Sequence, residues 1–189
     1  MKVSRMLSKI LRHSADKQQI PMDANGFVKV TDLLKLSQFN KTTVEDIQWI
    51  VQNDAKKRFT LVEGEQMAIR ANQGHSIARL EVEMTQITLE NIAELLPGDG
   101  VVIHGTFKDK LDSILANGLD RMKRQHIHFA ISLANSVATG IRRNCNVLIY
   151  VDLRKCLADG IEFYLSSNNV VLTRGPIASK YFQQIKPNV

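Results

Sequence analysis

Four segments of the sequence combine arginine or histidine with glycine or hydroxyl residues, and their side chains suit phosphate chemistry. Arg12 precedes His13, which places a permanently charged donor fork beside an imidazole that can transfer a proton. Arg70 begins the run Arg-Ala-Asn-Gln-Gly-His-Ser, which ends at Ser76 and is rich in hydrogen-bond donors. On its own, the Arg12-His13 pair also fits a solvated helix face. The run after Arg70 on its own fits an ordinary polar loop as well as a binding loop. Their value depends on whether they converge.

Two further segments lie in the second half of the chain. The tripeptide His104–Thr106 follows the apolar run Val-Val-Ile, so it stands at the end of a predicted strand, where ligands often bind. Arg124 lies just before His126 and His128, which alternate and would share one face of a strand. The sequence offers these two histidines no third ligand and no cysteine cluster, so we expect no metal site.

The first half predicts helices followed by a hairpin. Apolar residues repeat with helical spacing over residues 3–17, and basic side chains occupy the opposite face. Thr42 and Glu45 fit a capping box that begins another helix. Two short strands follow at Arg58–Val62 and Met67–Ala71. This order resembles a winged-helix module, which commonly handles nucleic acid and also serves protein interactions.

The second half is richer in predicted strands. We place the domain boundary near Pro97, in a Pro-Gly-Asp-Gly stretch that interrupts regular structure. The strands expected after it are Val101–His104, His126–Ala130, Val147–Asp152, Glu162–Leu165 and Val170–Thr173. The helices expected between them are Lys108–Asn117, Ser132–Gly140 and Leu153–Asp159. The sequence therefore predicts an α+β protein with one lobe over 1–96, including a linker, and another over 97–189.

The composition bounds the location and the partners of the protein. No apolar run reaches the ~18–20 residues of a membrane span, and the start of the chain lacks the apolar core of a signal peptide. The two cysteines have no metal-ligand spacing and require no disulfide, so we expect a reducing cytoplasm. Residues 97–189 carry 12 basic against 7 acidic side chains, and residues 1–96 carry 13 against 12. That excess favours polyanionic partners, although charge alone also serves solubility.

Taken in order, the four segments resemble the NAD-dependent RNA 2′-phosphotransferases. The resemblance covers nearly the whole chain. Its motifs are Leu7–His13, Asp23–Val30, Ile69–Ser76, His104–Thr106, Gly118-Leu119, Arg124–His128, Val147–Asp152, Gly160–Tyr164 and Val170–Thr173. It implies an N-terminal winged-helix lobe that engages RNA and a C-terminal lobe, similar to ADP-ribosyltransferases, that holds NAD.

The same resemblance implies roles for individual residues. The essential positions of the family correspond here to Arg12, His13, Arg70 and Arg124, which we expect to meet around one phosphoryl group. The expected NAD contacts are His104, Gly105, Thr106, Ile114 and Gly118. Family members often have His-Leu-Ser where this chain has His128-Phe129-Ala130, so a hydroxyl that could contact the nucleotide is missing.

The implied reaction removes an internal 2′-phosphate from RNA by transferring it to NAD, through an ADP-ribosylated 2′-phosphate intermediate. The products would be 2′-OH RNA, nicotinamide and ADP-ribose 1″,2″-cyclic phosphate, and no metal would take part. We expect a monomer that acts on RNA, with tRNA among the candidate substrates. Two alternatives stay open: an ADP-ribosyltransferase acting on terminal phosphates of RNA or DNA, and a non-catalytic winged-helix nucleic-acid binder.

Overall fold

The protein combines helices and sheets, as the predicted α+β class requires. The structure, a computed structural model, describes residues 2–96, 98, 100–132, 141 and 144–188. Its contacts divide the chain into two compact units, Met1–Glu83 and Met84–Val189. Over the described ranges, none of the helices combines the length and the apolar character that a membrane crossing needs.

The boundary between the units lies at Glu83–Met84, ahead of the Pro97 region that the sequence indicated. The intervening segment belongs with the second unit because Ile87, Ile92 and Leu96 are buried in the core of that unit. Its short strand also pairs with a strand much later in the chain. Glycine and proline mark where regular structure stops, but burial decides which core a segment joins.

The first unit begins with a helix whose ending differs from the prediction. Helix α1 spans Lys2–Lys9 and continues into a π-helical turn at Ile10–Ser14. The backbone N–H of Ala15 closes that turn by donating to the carbonyl of Ile10 over 3.0 Å. A short 3-10 turn follows at Asp16–Gln18. The expected apolar stripe is confirmed, since its members are buried or partly buried: Val3, Met6, Leu7, Ile10 and Leu11.

The rest of the first unit packs a small sheet against short helices. Its elements are β1 (Val28–Lys29), α2 (Val30–Leu34), a 3-10 turn (Ser37–Phe39), α3 (Val44–Gln52), β2 (Phe59–Val62) and β3 (Ala68–Ala71). The strands are antiparallel and lie in the order β1-β3-β2. Leu33, Phe39, Ile47 and Ile69 are fully buried or nearly so, and they fill the core between the layers.

Helix α3 begins with a capping box, but one residue later than predicted. The hydroxyl of Thr43 accepts from the backbone N–H of Asp46 (3.2 Å), and the Asp46 carboxylate accepts from the Thr43 N–H (2.9 Å). The predicted pair, Thr42 and Glu45, was therefore wrong. Two adjacent threonines are followed by two adjacent acids, so the local sequence permits either register. The extended backbone of Thr43 selects the second.

The second unit has its own core and a larger sheet. Its helices are α4 (Ile92–Leu95), α5 (Lys108–Asn117) and α6 (Leu153–Ala158), with a 3-10 turn at Ser179–Tyr181. Its strands are β4 (Thr85–Ile87), β5 (Val101–Thr106), β6 (Ile127–Ala130), β7 (Val147–Asp152), β8 (Phe163–Leu165), β9 (Val170–Thr173) and β10 (Phe182–Pro187). The described strands form one antiparallel sheet in the order β10-β7-β5-β6-β9-β8-β4.

Most predicted elements of the second unit are confirmed, with differences at the edges. Strand β6 starts at Ile127, so His126 precedes it. The two outer strands, β4 and β10, were not predicted. A helix was expected at Ser132–Gly140. Residues 133–140 of that range lie outside the described residues.

The register of this sheet brings several loop residues to one end. Ile103 of β5 pairs with Ala130 of β6, so the Thr106 end of β5 lies beside the start of β6. Ile127 of β6 pairs with Thr173 of β9. Continuing that antiparallel register by one residue places His126 opposite Arg174. The start of β5 lies at the other end of the sheet, where Val101 pairs with Asp152.

Candidate functional site

The π-helical turn of the first unit presents Arg12 and His13 and is held in place by Ser76. The backbone N–H of Ser76 donates to the carbonyl of Arg12 over 2.9 Å. The Ser76 hydroxyl lies 3.0 Å from Nδ1 of His13, within hydrogen-bond distance. π-helical turns are rare, and those that occur are frequently found at functional sites. Two contacts from one residue therefore fix both the backbone and the imidazole of this dipeptide.

Gly74 lies against the Arg12 side chain. A Cβ atom at Gly74 would lie 3.4 Å from Cζ and Nε of Arg12. The glycine also has a φ of +89°, a backbone conformation that side-chain-bearing residues rarely adopt. Nε and Nη2 of Arg12 are buried although the residue as a whole is partly exposed. The loop thus covers one side of the guanidinium.

Arg70 is a buried cation on strand β3, which packs against the π-helical turn. The side chain is only 8% exposed, and its guanidinium lies over the Phe27 ring, 4.8 Å from the centroid. Its Nε is buried and has no hydrogen-bond partner among the described residues. Burying a charge without a counter-charge is costly, so this position favours a bound anion.

The polar run after Arg70 is buried, whereas the sequence suggested a flexible loop. Residues 70–75 are all buried. The side chain of Asn72 makes hydrogen bonds within the fold. Its amide donates to the carbonyl of Lys57 (2.8 Å), and its oxygen accepts from the Thr60 hydroxyl (2.6 Å). These bonds tie the run to the adjacent strand. Asn72 therefore orients the loop that carries Gly74 and Ser76.

In the second unit, His104 is oriented by a hydrogen bond across the sheet. Its Nδ1 lies 2.9 Å from the carbonyl oxygen of His128. A carbonyl only accepts, so Nδ1 carries the hydrogen of this bond. The ring also packs edge-on against Phe129, with centroids 5.7 Å apart. Both contacts hold the imidazole at the strand end that the sequence singled out.

The neighbours of His104 are held by tight packing. A Cβ atom at Gly105 would lie 2.7 Å from Ile141 Cγ2 and 2.8 Å from Cys145 Sγ, so any larger residue would have to displace these side chains. Thr106 is buried. Gly118 is equally constrained, because a Cβ atom there would lie 2.5 Å from the carbonyl oxygen of Ile177. The requirement for both glycines is thus explained by the fold itself.

Arg124 follows a tight turn that begins with Asp120. The backbone N–H of Arg124 donates to the carbonyl of Arg121 (3.1 Å), and the Arg121 guanidinium donates back to the carbonyl of Arg124 (2.8 Å). The Asp120 carboxylate accepts from the Met122 N–H over 2.6 Å. Met122 has a φ of +55°, and its side chain is 78% exposed. The turn is therefore built by specific contacts.

Of the two histidines, His128 is buried on β6 and His126 precedes that strand. Burial together with the positive charges of Arg174 and Arg121 lowers the pKa of His126 to about 4. Where the structure describes the chain, no three His, Cys, Asp or Glu side chains are grouped as metal ligands would be. His126 is thus a neutral imidazole between two cations at pH 7.

A sequence profile of the RNA 2′-phosphotransferase, Tpt1/KptA family matches residues 1–175. The chain belongs to this family of transferases. Similar proteins include tRNA 2′-phosphotransferase 1 of Mus musculus, which is 42% identical over 97% of this chain and 76% of its own length. The protein of the same name from Danio rerio is 37% identical over 99% of this chain and 87% of its own.

A bacterial relative extends the similarity. A protein of Flavobacterium johnsoniae named "Probable RNA 2′-phosphotransferase" is 36% identical over 96% of this chain and 94% of its own length. The family resemblance that the motifs suggested is therefore confirmed. Eukaryotic and bacterial proteins align with both units of the chain.

Within this 2′-phosphotransferase, the structure brings Arg12 and His13 together with the loop of Gly74 and Ser76, and Arg70 lies on the strand that packs against them. Arg124 belongs to the second unit. Sequence reasoning overlooked Arg121 and Arg174 beside His126. Arg174 follows strand β9. No local motif predicts how β9 pairs with β6, so Arg174 is found only from the strand pairing.

Proposed function

We propose that this chain removes a 2′-phosphate from RNA by transferring it to NAD. The observation that carries the proposal is a buried, anion-seeking arginine beside a hydrogen-bonded Arg-His pair, in a chain of the RNA 2′-phosphotransferase family. Relatives named for tRNA in mouse and zebrafish support tRNA as a substrate, and the bacterial name supports RNA more generally.

Arg12 and Arg70 would bind the phosphate that is transferred. Arg70 supplies a desolvated guanidinium whose Nε–H group can donate a hydrogen bond to the phosphate. Arg12 supplies a second fork, covered on one side by Gly74. Negative charge builds on phosphoryl oxygens during the transfer, and donors fixed beforehand stabilise it without reorganising. The family resemblance implies that Arg124 also binds phosphate.

His13 would move the proton that the reaction requires. The Ser76 hydroxyl holds Nδ1, which directs the other ring nitrogen away from the loop. From there His13 would protonate the RNA 2′-oxygen as the phosphorus–oxygen bond breaks. The exposed position of His13 leaves room for an RNA strand to approach.

The second unit fits a dinucleotide by the chemistry of its donors. NAD, when bound, supplies the reactive ribose carbon and the hydroxyl that accepts the phosphoryl group. His104 is oriented at a strand end, and Thr106 follows it at the same end. We assign the dinucleotide to His104, Gly105 and Thr106. Ile114 and Gly118 would contact the adenosine, in addition to their packing roles.

The lobe assignments are part of the same proposal. Helices followed by the β2–β3 hairpin support a winged-helix arrangement in the first unit. The described antiparallel sheet with His104 at a strand end supports an ADP-ribosyltransferase-like second unit. The two cysteines, Cys145 and Cys156, are free and buried, which agrees with a reducing cytoplasm. We further propose that the protein acts as a monomer.

The test combines the protein, NAD and an oligoribonucleotide with one internal 2′-phosphate. We expect dephosphorylated RNA, nicotinamide and ADP-ribose 1″,2″-cyclic phosphate, separated by chromatography. Arg12→Ala is the matched inactive control, and Arg5→Ala, an exposed arginine on α1, should leave the reaction unchanged. Absence of the cyclic product with the wild-type protein would overturn the proposal.

Two other results identify the alternatives. A stable ADP-ribose adduct on an oligonucleotide with a terminal phosphate would identify an ADP-ribosyltransferase. RNA binding without NAD binding in calorimetry would identify a non-catalytic nucleic-acid binder. That last function would leave the oriented His104 and the constrained Gly105 without a ligand.

A further inference from the structure

A cationic group lies at one end of the sheet in the second unit. The β6–β9 register places His126 opposite Arg174. The turn before β6 contributes Arg121, whose charge also acts on His126. The β5–β6 pairing brings the Thr106 end of β5 to the same end of the sheet. Residues from three separate segments therefore meet beside the strand end assigned to the dinucleotide.

The position of Arg121 is fixed by the backbone. Its guanidinium donates to the carbonyl of Arg124 while the Arg124 N–H donates to the carbonyl of Arg121. This reciprocal pair holds the turn and leaves other N–H groups of Arg121 available, because a guanidinium has five. Arg174 is exposed at the end of β9. The charges of the two arginines thus act on His126 from two separate segments, the turn before β6 and the end of β9.

The ion pairs between described residues of the second unit leave Arg121 and Arg174 out. These ion pairs join Lys110 to Asp109 and Lys180 to Asp159. Asp120 precedes Arg121, and its carboxylate accepts from the backbone N–H of Met122. The Glu162 carboxylate accepts a hydrogen bond from the Tyr164 hydroxyl. The charge of Arg174 reaches the Tyr164 hydroxyl as well. Two positive charges that both act on His126 favour an anion beside it.

We propose that Arg121, His126 and Arg174 form a second anion subsite, which binds a phosphate of a substrate. The bound group is a phosphodiester of the RNA strand or the pyrophosphate of the dinucleotide, which share the same chemistry. The inference rests on the proposed function for the identity of the substrates. Guanidinium groups suit such oxygens because they donate in pairs.

Direct binding can be measured without catalysis. The probe is inorganic pyrophosphate, and the readout is the His126 imidazole signal in NMR spectra, assigned with His126→Gln. A bound anion stabilises the protonated ring, so the pKa of His126 should rise from about 4 toward its ordinary value. Arg174→Gln should abolish that response. An equal response to potassium chloride at matched ionic strength would overturn the proposal.

Kinetics then distinguishes the two sources of phosphate. Arg174→Gln is the variant of choice, because the Arg121 side chain also holds the turn. Arg154→Gln is the matched control, since Arg154 is an exposed arginine after the β7 end that pairs with Val101, at the opposite end of the sheet. We expect Arg174→Gln to raise one Michaelis constant about tenfold, while Arg154→Gln changes neither.

A raised KM for RNA, with the salt dependence of RNA binding reduced by about one counter-ion, assigns the subsite to the RNA backbone. A raised KM for NAD assigns it to the pyrophosphate. If neither constant changes, the proposal is wrong even if pyrophosphate binds. Because the NMR titration needs no turnover, its success with an inactive wild-type protein would overturn the proposed function and leave anion binding standing.

Discussion

The two units hold their chemistry-bearing side chains by different means. In the first unit, hydrogen bonds from Ser76, which follows a buried polar run, fix the Arg12-His13 turn, and Arg70 is a buried cation. In the second unit, His104 is fixed by one bond to a neighbouring strand, and Gly105 is held by close packing. The contacts of the first unit hold positive charge where an anion could bind. Those of the second unit hold one end of the sheet rigid.

This difference teaches where substitutions should act. Changes in the first unit should reduce turnover more than stability, because its polar contacts orient reacting groups. Changes at the sheet end of the second unit should reduce stability, because the same atoms fill the core. Each prediction below tests that division, from the largest expected effect to the smallest.

Replacing Arg70 should have the largest effect on turnover. Arg70→Ala removes a preorganised donor, which typically costs roughly 3–4 kcal/mol of transition-state stabilisation, or a factor of hundreds. Arg70→Lys keeps the charge but loses the fork, and we expect it to recover little. The measurement is single-turnover dephosphorylation, with circular dichroism to verify folding. Turnover within a few-fold of wild type for Arg70→Ala would remove Arg70 from the proposed phosphate-binding residues.

Two glycine substitutions contrast the units directly. Gly105→Ala overpacks against Ile141 and Cys145, and we expect a loss of about 1–3 kcal/mol in the free energy of unfolding. Gly74→Ala strains the loop that holds Arg12, and misplacing a reacting group costs up to about a hundredfold in rate. Urea denaturation and turnover per folded molecule separate the effects. The opposite pattern, with Gly74→Ala mainly unstable, would contradict the division.

Removing the Ser76 hydroxyl should reduce turnover about tenfold, the value of one hydrogen bond to a reacting group. Ser76→Ala leaves His13 without the bond that orients it. Because His13 is the proposed proton donor, we expect kcat to fall and the KM for RNA to change little. Ser76→Thr retains a hydroxyl and should restore most of the rate. A merely structural role would instead change KM or stability and would not be rescued by threonine.

Acidification should destabilise the second unit through His126. The pKa of His126 is about 4 in the folded protein, below the ordinary value of 6.5, because of burial and the charges of Arg174 and Arg121. Between these values the unfolded chain binds more protons, so stability falls as the pH is lowered through this window. After allowance for solvent screening we expect a loss of roughly 1 kcal/mol.

The control for this effect is His126→Gln, which cannot titrate. Urea denaturation at several pH values between 4 and 6.5 should show a smaller pH dependence for the variant than for the wild type. Parallel pH dependences would mean that other groups account for the change. The result also bears on the anion subsite, because pyrophosphate should reduce the acid sensitivity of the wild type.

Periodicity predicted much of the fold because it reports burial. The apolar stripe of α1 and the apolar strands β5, β7 and β9 follow directly from residue spacing. The edge strand β10 was not predicted, because its residues are mostly exposed and include Pro187. Its sequence therefore shows no alternation of apolar and polar residues. Strand β4 was not predicted for a similar reason, since only Ile87 of its residues is buried.

Contiguous motifs were sufficient to select candidate site residues. Arg12, His13 and Arg70 stand in recognisable local sequences, and their roles stay predictions. The contacts of Ser76 with the π-helical turn and the pairing of Ile127 with Thr173, next to His126 and Arg174, join positions far apart in sequence. Nothing in a local window sets such registers, so these parts required the folded structure.

The π-helical turn at Ile10–Ser14 also sets how the first helix responds to changes in length. Each α-helical residue advances the helix by about 100°, and a π turn accommodates one extra residue. Deleting one residue there would restore ordinary winding and rotate the direction in which Arg12 and His13 project. Substitutions along the exposed face leave that phase unchanged. Evolution of this segment should therefore accept many exchanges of side chain and very few insertions or deletions.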